Sequence, residues 1–138
     1  MNSPAADLKD LVVAAGLGVF AASSGWGVFV SREPESPDTC ITLYDTGGFA
    51  PSPHLFEDRP TVQARVRGPM LGYQQGWAKA LAVREALLGK RALVNGTWYA
   101  GIWSQGDIAF LRYDEANRPI WTMSFRMVRG APTSAHRA

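Results

Sequence analysis

Asp45-Thr46-Gly47 is the triplet in this chain best placed to do chemistry. In a retroviral-type dimeric aspartic protease each subunit supplies one such aspartate, and two close carboxylates share the proton that activates water. Leu87-Leu88-Gly89 imitates part of that class's second motif. The segment between them speaks against it, because residues 69–88 carry a helical pattern and such proteases are almost wholly β. The simpler reading is that Asp45 ends a strand and Gly47-Gly48 turn the chain. Other candidates are weaker. His54 and His136 have no Cys or carboxylate at metal-ligand spacing. Gly16-Leu17-Gly18 lacks the preceding strand and the third glycine of a dinucleotide turn. Asn95-Gly96-Thr97 fits a glycosylation acceptor, yet reads better as a tight Asn-Gly turn. The lone Cys40 reads as a small buried filler on a strand, suited to a reducing compartment. No catalytic residue, no metal and no cofactor is therefore expected.

Composition bounds the remaining classes. A chain of 138 residues is large enough to bury roughly two thirds of its unfolded surface in one core. Fourteen basic and twelve acidic side chains leave a net charge of +2, too small a balance for a stand-alone nucleic-acid binder. Asp7, Lys9 and Asp10 interrupt the N-terminal apolar residues, so no secretory leader is expected there. The apolar run at 11–20 falls well short of the roughly 20 residues a spanning helix requires. Five tryptophans could form a stacking platform, but Trp77 and Trp121 fall on apolar faces and read as core; Trp26, Trp98 and Trp103 are the ones that could be exposed.

The elements that would position these residues follow from periodicity. Ser3 before Pro4 starts a helix whose apolar stripe is Leu8, Leu11, Val12 and Ala15, ending at Gly16 or Gly18. Residues 26–31 alternate as a strand, 32–38 form an acidic, proline-bearing loop, and 40–45 resume a β pattern. Residues 46–60 have no period, two glycines, three prolines and exposed-looking Phe49, Leu55 and Phe56, which marks a partner-binding arm. In Val62-Gln63-Ala64-Arg65-Val66-Arg67-Gly68 the valines and alanine project to one side and Gln63, Arg65 and Arg67 to the other. A helix follows from Pro69 to Leu88, with Tyr73, Trp77, Ala80, Leu81, Arg84, Leu87 and Leu88 on its stripe and Gly89 as its stop. Residues 91–94 and 98–103 pair across Asn95-Gly96, and 108–113 pair with 120–128 across a turn at 114–119, so the C-terminal third reads as a meander. Trp121, Met123, Phe125 and Met127 line one face of the last strand; Thr122, Ser124 and Arg126 line the other.

The expected fold class is α+β: a mixed, mainly antiparallel β-sheet with a long amphipathic helix packed on one face and an N-terminal helix. Residues 1–129 would form one domain with a long loop at 46–60, and 130–138 a mobile tail.

The order of these elements, with Leu43-Tyr44-Asp45-Thr46-Gly47-Gly48, Val62 to Gly68, the Tyr73, Ala78 and Leu81 pattern and Asn117-Arg118-Pro119, resembles the tail terminator or tail completion proteins of long-tailed bacteriophages, often labelled minor capsid proteins. The resemblance spans roughly residues 5–129. Glu115-Ala116-Asn117-Arg118 departs from the Asn-Gly-Arg turn more typical of the group. The resemblance implies a structural virion protein, not an enzyme. It would form a ring, most often of six copies, that caps the tail tube, ends its polymerisation and joins it to the neck. Implied partners are identical copies, the tail tube protein, the neck or head-completion (stopper) protein and the tape measure protein. DNA would be only cargo in the lumen, and no membrane is involved. Such a protein is assembled in the bacterial host cytoplasm and resides in the virion. A neck (head–tail connector) component is the alternative. On this reading Phe49, Leu55 and Phe56 on the arm, with Glu115 and Arg118 on the hairpin, make axial contacts with tube or neck. Arg65, Arg67 and Arg126 face a subunit boundary or the lumen, the plainer alternative being a solvated strand face.

Overall fold

The computed structural model describes residues 1–131. α1 (Pro4–Ala14) starts where Ser3 Oγ accepts the Ala6 amide, and it ends at Gly16, whose φ of +77° breaks the helix. Strands β1 (Val19–Phe20), β2 (Gly27–Val30) and β3 (Cys40–Gly48) follow, the first two pairs parallel. Next come β4 (Glu57–Asp58), β5 (Pro60–Arg67), α2 (Tyr73–Leu87), β6 (Ala92–Val94), β7 (Thr97–Ser104), β8 (Ala109–Tyr113) and β9 (Pro119–Gly130). They form one sheet in the order β1-β2-β3-β5-β9-β7-β6, antiparallel from β3 onwards, with β4 and β8 added to β9. The fold is α+β, as the residue pattern implies. α1 touches β1 and β2 at one end of the strand order and β6 at the other, so the sheet curls around it.

The core lies between the two helices and one face of this sheet. Val62, Ala64 and Val66 oppose Phe125, Met123 and Trp121 in register, and Leu8 and Val12 of α1 with Ala80, Val83 and Leu87 of α2 close over them. Gln63, Arg65, Ser124 and Thr122 occupy the opposite face, so the alternation in β5 and β9 is realised as expected.

Several expectations are corrected. The C-terminal third is not a meander: β7 and β8 lie end to end along the same edge of β9, and β9 carries β5 and then β4 along its other edge. A twelve-residue strand has length for two partners per edge, which local hairpin signals do not reveal. α2 starts at Tyr73 rather than at Pro69, because Leu71 takes a φ of +57° and donates its amide to the Asn117 carbonyl. Its buried stripe is Gly76, Ala80, Val83 and Leu87, while Arg84 faces Glu85 and Asp107. In α1 it is Asp7, not Ala15, that is buried with Leu8 and Val12. The irregular loop shrinks to 49–56, since β3 runs to Gly48 and β4 and β5 take up 57–58 and 60 onwards. Gly130 of the expected tail belongs to β9 and pairs with Glu57, and Ala131 donates to the Phe56 carbonyl; the rest of that segment lies outside the described residues.

Buried Asp7 is answered by Tyr99, whose hydroxyl donates to its Oδ2, by Asn95, which donates to Oδ1 at 2.9 Å, and by Arg129 at 3.8 Å. These partners come from β7, β9 and the Asn95-Gly96 turn, and they fasten α1 to the far end of the sheet. Burial, then the neighbouring Asp7 carboxylate, pushes the Tyr99 hydroxyl well above the usual tyrosine range.

At Gly76 α2 lies against Trp121 of the sheet. A Cβ there would stand 2.7 Å from Trp121 Nε1 and 2.8 Å from its Cδ1. Glycine to alanine inside a helix ordinarily adds about 1 kcal/mol. Here the overlap dominates, so Gly76→Ala should destabilise by about 1–2 kcal/mol in urea unfolding; a gain in stability would show that the helix–indole contact is loose.

Candidate assembly surface

The Asp45-Thr46-Gly47 triplet has a structural task. Asp45 Oδ1 accepts the Ala5 amide at 2.9 Å, so the carboxylate satisfies a free N–H in the first turn of α1. Thr46 shares a 2.8 Å hydrogen bond with Thr61 of the adjacent strand, and β3 continues through Gly47 and Gly48, at φ of +87° and +132°, with a register irregularity between Asp45 and Gly48, so Asp45 does not end the strand as expected. Cys40 is buried beside Arg67, and burial pushes its thiol up to about 11. Among the described residues no group of three or more His, Cys, Asp or Glu could hold a metal ion.

The expected interface residues divide into two groups. Arg67 is only 3 % exposed, and its guanidinium donates to the carbonyls of Asp38 (2.8 Å), Pro37 (2.7 Å) and Glu35 (3.4 Å). Arg118 is 8 % exposed, donating to the Glu35 carbonyl at 2.8 Å and pairing with Asp38 at 3.0 Å and Asp114 at 2.8 Å. Both are internal struts that hold the 32–39 loop against the polar face of the sheet. This corrects the expectation for Arg67 as a residue on an open strand face and for Arg118 as an accessible hairpin side chain. A lone sequence cannot show that a loop folds back over an alternating strand. Arg65 is half-buried, 3.7 Å from Glu33 and 5.9 Å over the Tyr44 ring.

The second group is accessible. Phe49, Leu55 and Phe56 are 56, 48 and 57 % exposed on the loop that β3 and β4 tether at its ends. The loop is pinned where Phe49 donates to the Arg59 carbonyl and Ala131 donates to that of Phe56. Arg126 stands on the polar face over Trp103 at 5.7 Å, and Glu115 is exposed in the turn between β8 and β9. That turn is built by Asp114, whose Oδ1 accepts the amides of Ala116 and Arg118, with Asn117 at φ +58°. Burial on its own would raise the Asp114 carboxyl; the backbone amide and guanidinium of Arg118 outweigh it and hold the group below the ordinary carboxylate range.

Sequence reasoning missed a further patch. Met70, Leu71, Tyr73, Phe110 and Tyr113 are all exposed, with Phe110 packed on Tyr73 at 5.2 Å and on Tyr113 at 5.3 Å. Tyr73, on the helical stripe by its spacing, packs one side of its ring on Trp121 at 4.7 Å and remains 46 % exposed. No helix among the described residues is long and apolar enough to cross a membrane.

Buried charges that brace its own loops, together with apolar side chains left at the sheet margins, define a small α+β subunit suited to packing against other chains. The sequence matches the bacteriophage tail terminator protein family over residues 11–129, and the chain belongs to that family. It is thus a structural protein of tail assembly. Among solved structures, a chain from the virion of a native gene transfer agent particle shares the fold at a TM-score of 0.64 and 18% identity, covering 94% of this chain and 96% of that one. No curated protein matches the chain.

Arg67→Met should cost about 2–3 kcal/mol in urea unfolding, because it strands buried carbonyls of the 35–38 segment. Asp114→Asn tests the hairpin by pH. Since folding depresses the Asp114 value, its contribution is complete above the unfolded value near 3.9 and is lost as pH falls through the folded one. The variant should be less stable than wild type at pH 6, with the difference shrinking below about pH 4.

Proposed function

We propose that the protein closes into a ring, of six copies by resemblance to its family, that caps the finished tail tube, ends its polymerisation and joins it to the neck or head-completion (stopper) protein. It is then a virion component without catalytic activity, and DNA crosses the ring only as cargo. The observation that carries this reading is the outward display of Phe49, Leu55 and Phe56 on a loop tethered at both ends. Side chains of this kind are costly to leave in water and are compatible with a surface covered on assembly. The loop is the axial arm, meeting the tube end, with the tape measure protein as a further neighbour at that site. Arg65 remains a boundary or lumen residue on this reading. It is tested alone, since replacing Arg67 with it would disturb the fold.

Light scattering of the purified protein, alone and with preformed tail tubes, should give a hexameric mass, or a monomer that becomes a ring on tube ends and halts their growth. Leu55→Ala with Phe56→Ala should keep the ring and weaken tube capping about tenfold. A dimer that ignores tubes overturns the proposal, and a ring that binds neck protein but not tubes moves the chain to the connector.

A further inference from the structure

The turn before β9 and the second half of β9 carry opposite charges without ion pairs among the described residues. Before its first residue, the turn at 114–118 extends past both strands of the hairpin and presents Glu115 next to exposed Tyr113. Towards its other end, Arg126 is exposed over Trp103. Neither Glu115 nor Arg126 has an ion-pair partner among the described residues. Beside Arg126 a cavity of about 130 Å³ opens between Phe49, Arg59, Trp103, Met127 and Val128, room for one side chain. Arg59 brings a second guanidinium, 3.5 Å from Glu57.

We propose that this notch receives Glu115 of a second copy of the chain, with Tyr113 laid against Trp103, as the head-to-tail contact of the ring. The inference rests on the ring reading above, and it gives the hairpin tip to the neighbour rather than to tube or neck. Geometry prevents a chain from satisfying itself: the eight residues from Pro119 to Arg126 span roughly 23 Å of extended strand. A neighbour meets no such barrier, and a contact between two different patches of identical subunits is what ring closure requires. The charges agree. Around the notch Arg59 and Arg126 face the incoming group, with Glu57 already against Arg59. At the tip Asp114 is tied to Arg118, which leaves Glu115 as the free carboxylate. Arg112 of β8 also has no ion pair among the described residues and lines the same surface cavity as Tyr113 and Glu115. An aromatic beside the carboxylate meets an aromatic beside the guanidinium, so exclusion of water by Tyr113 and Trp103 would strengthen the pair.

The test is a charge exchange read by light scattering, with and without tubes, thermal unfolding confirming that each variant is folded. Glu115→Arg and Arg126→Glu should each weaken ring formation about tenfold, and the double variant should restore it. Cysteines placed at both positions should yield disulfide-linked multimers under oxidation. Single charge variants that form rings as wild type does, a charge-exchanged double variant that stays dispersed, or a double-cysteine variant that does not cross-link overturns the contact while leaving the ring intact. A wild-type protein that stays monomeric even on tubes removes the ring itself, and the contact with it.

Discussion

β9 is the constraint on which the rest of the fold depends. Its twelve residues pair with β5 and β4 along one edge and with β8 and β7 along the other. Trp121, Met123, Phe125 and Met127 on one side meet the helices, while Thr122, Ser124 and Arg126 stand on the other. A one-residue slip of this strand would exchange the two faces and turn out four large apolar side chains at once, so its register is held by burial along its whole length. Both candidate surfaces inherit that register: the turn at 114–118 leads into the strand, and Arg126 stands near its far end.

Charges inside the molecule act as braces. Arg67 and Arg118 gather the carbonyls of residues 35–38 and hold a loop over a face that would otherwise be open. Asp7, Asn95, Tyr99 and Arg129 join α1 to the opposite margin of the curled sheet. Burying such groups is tolerable because each finds several partners, and removing one partner would strand the others in a medium that solvates them poorly. The same logic accounts for Asp45. Its carboxylate stabilises the positive end of a helix, which gives this aspartate within β3 a structural task.

The braces also divide labour at the surface. Arg67, Arg118 and Asp7 are enclosed, and the exposed surface includes the arm at 49–56, the aromatic group at Tyr73, Phe110 and Tyr113, and Glu115 and Arg126, which have no ion pair among the described residues. Two exposed patches of different character at separate places on one subunit suit repeated head-to-tail packing better than a two-fold dimer, which needs one self-complementary patch.

What the sequence determined by itself is local. Alternation in residues 62–67 and 121–127, the Ser3-Pro4 helix start, and the Asn95-Gly96 turn, with φ of +49° and +80°, are set by side-chain direction and backbone sterics among near neighbours. The arm's exposed Phe49, Leu55 and Phe56 were legible too, because apolar residues without a period have no face to bury them. Tertiary structure decided what depends on residues far apart in the chain. It made β7 and β8 share an edge of β9, shifted the buried stripe of α2, left Tyr73 partly exposed at the start of that helix, and turned Arg67 and Arg118 inwards. A charged side chain on an alternating strand looks the same in sequence whether water or a folded-back loop receives it. Only the packing that brings residues 35–38 to Arg67, some thirty positions away, distinguishes them.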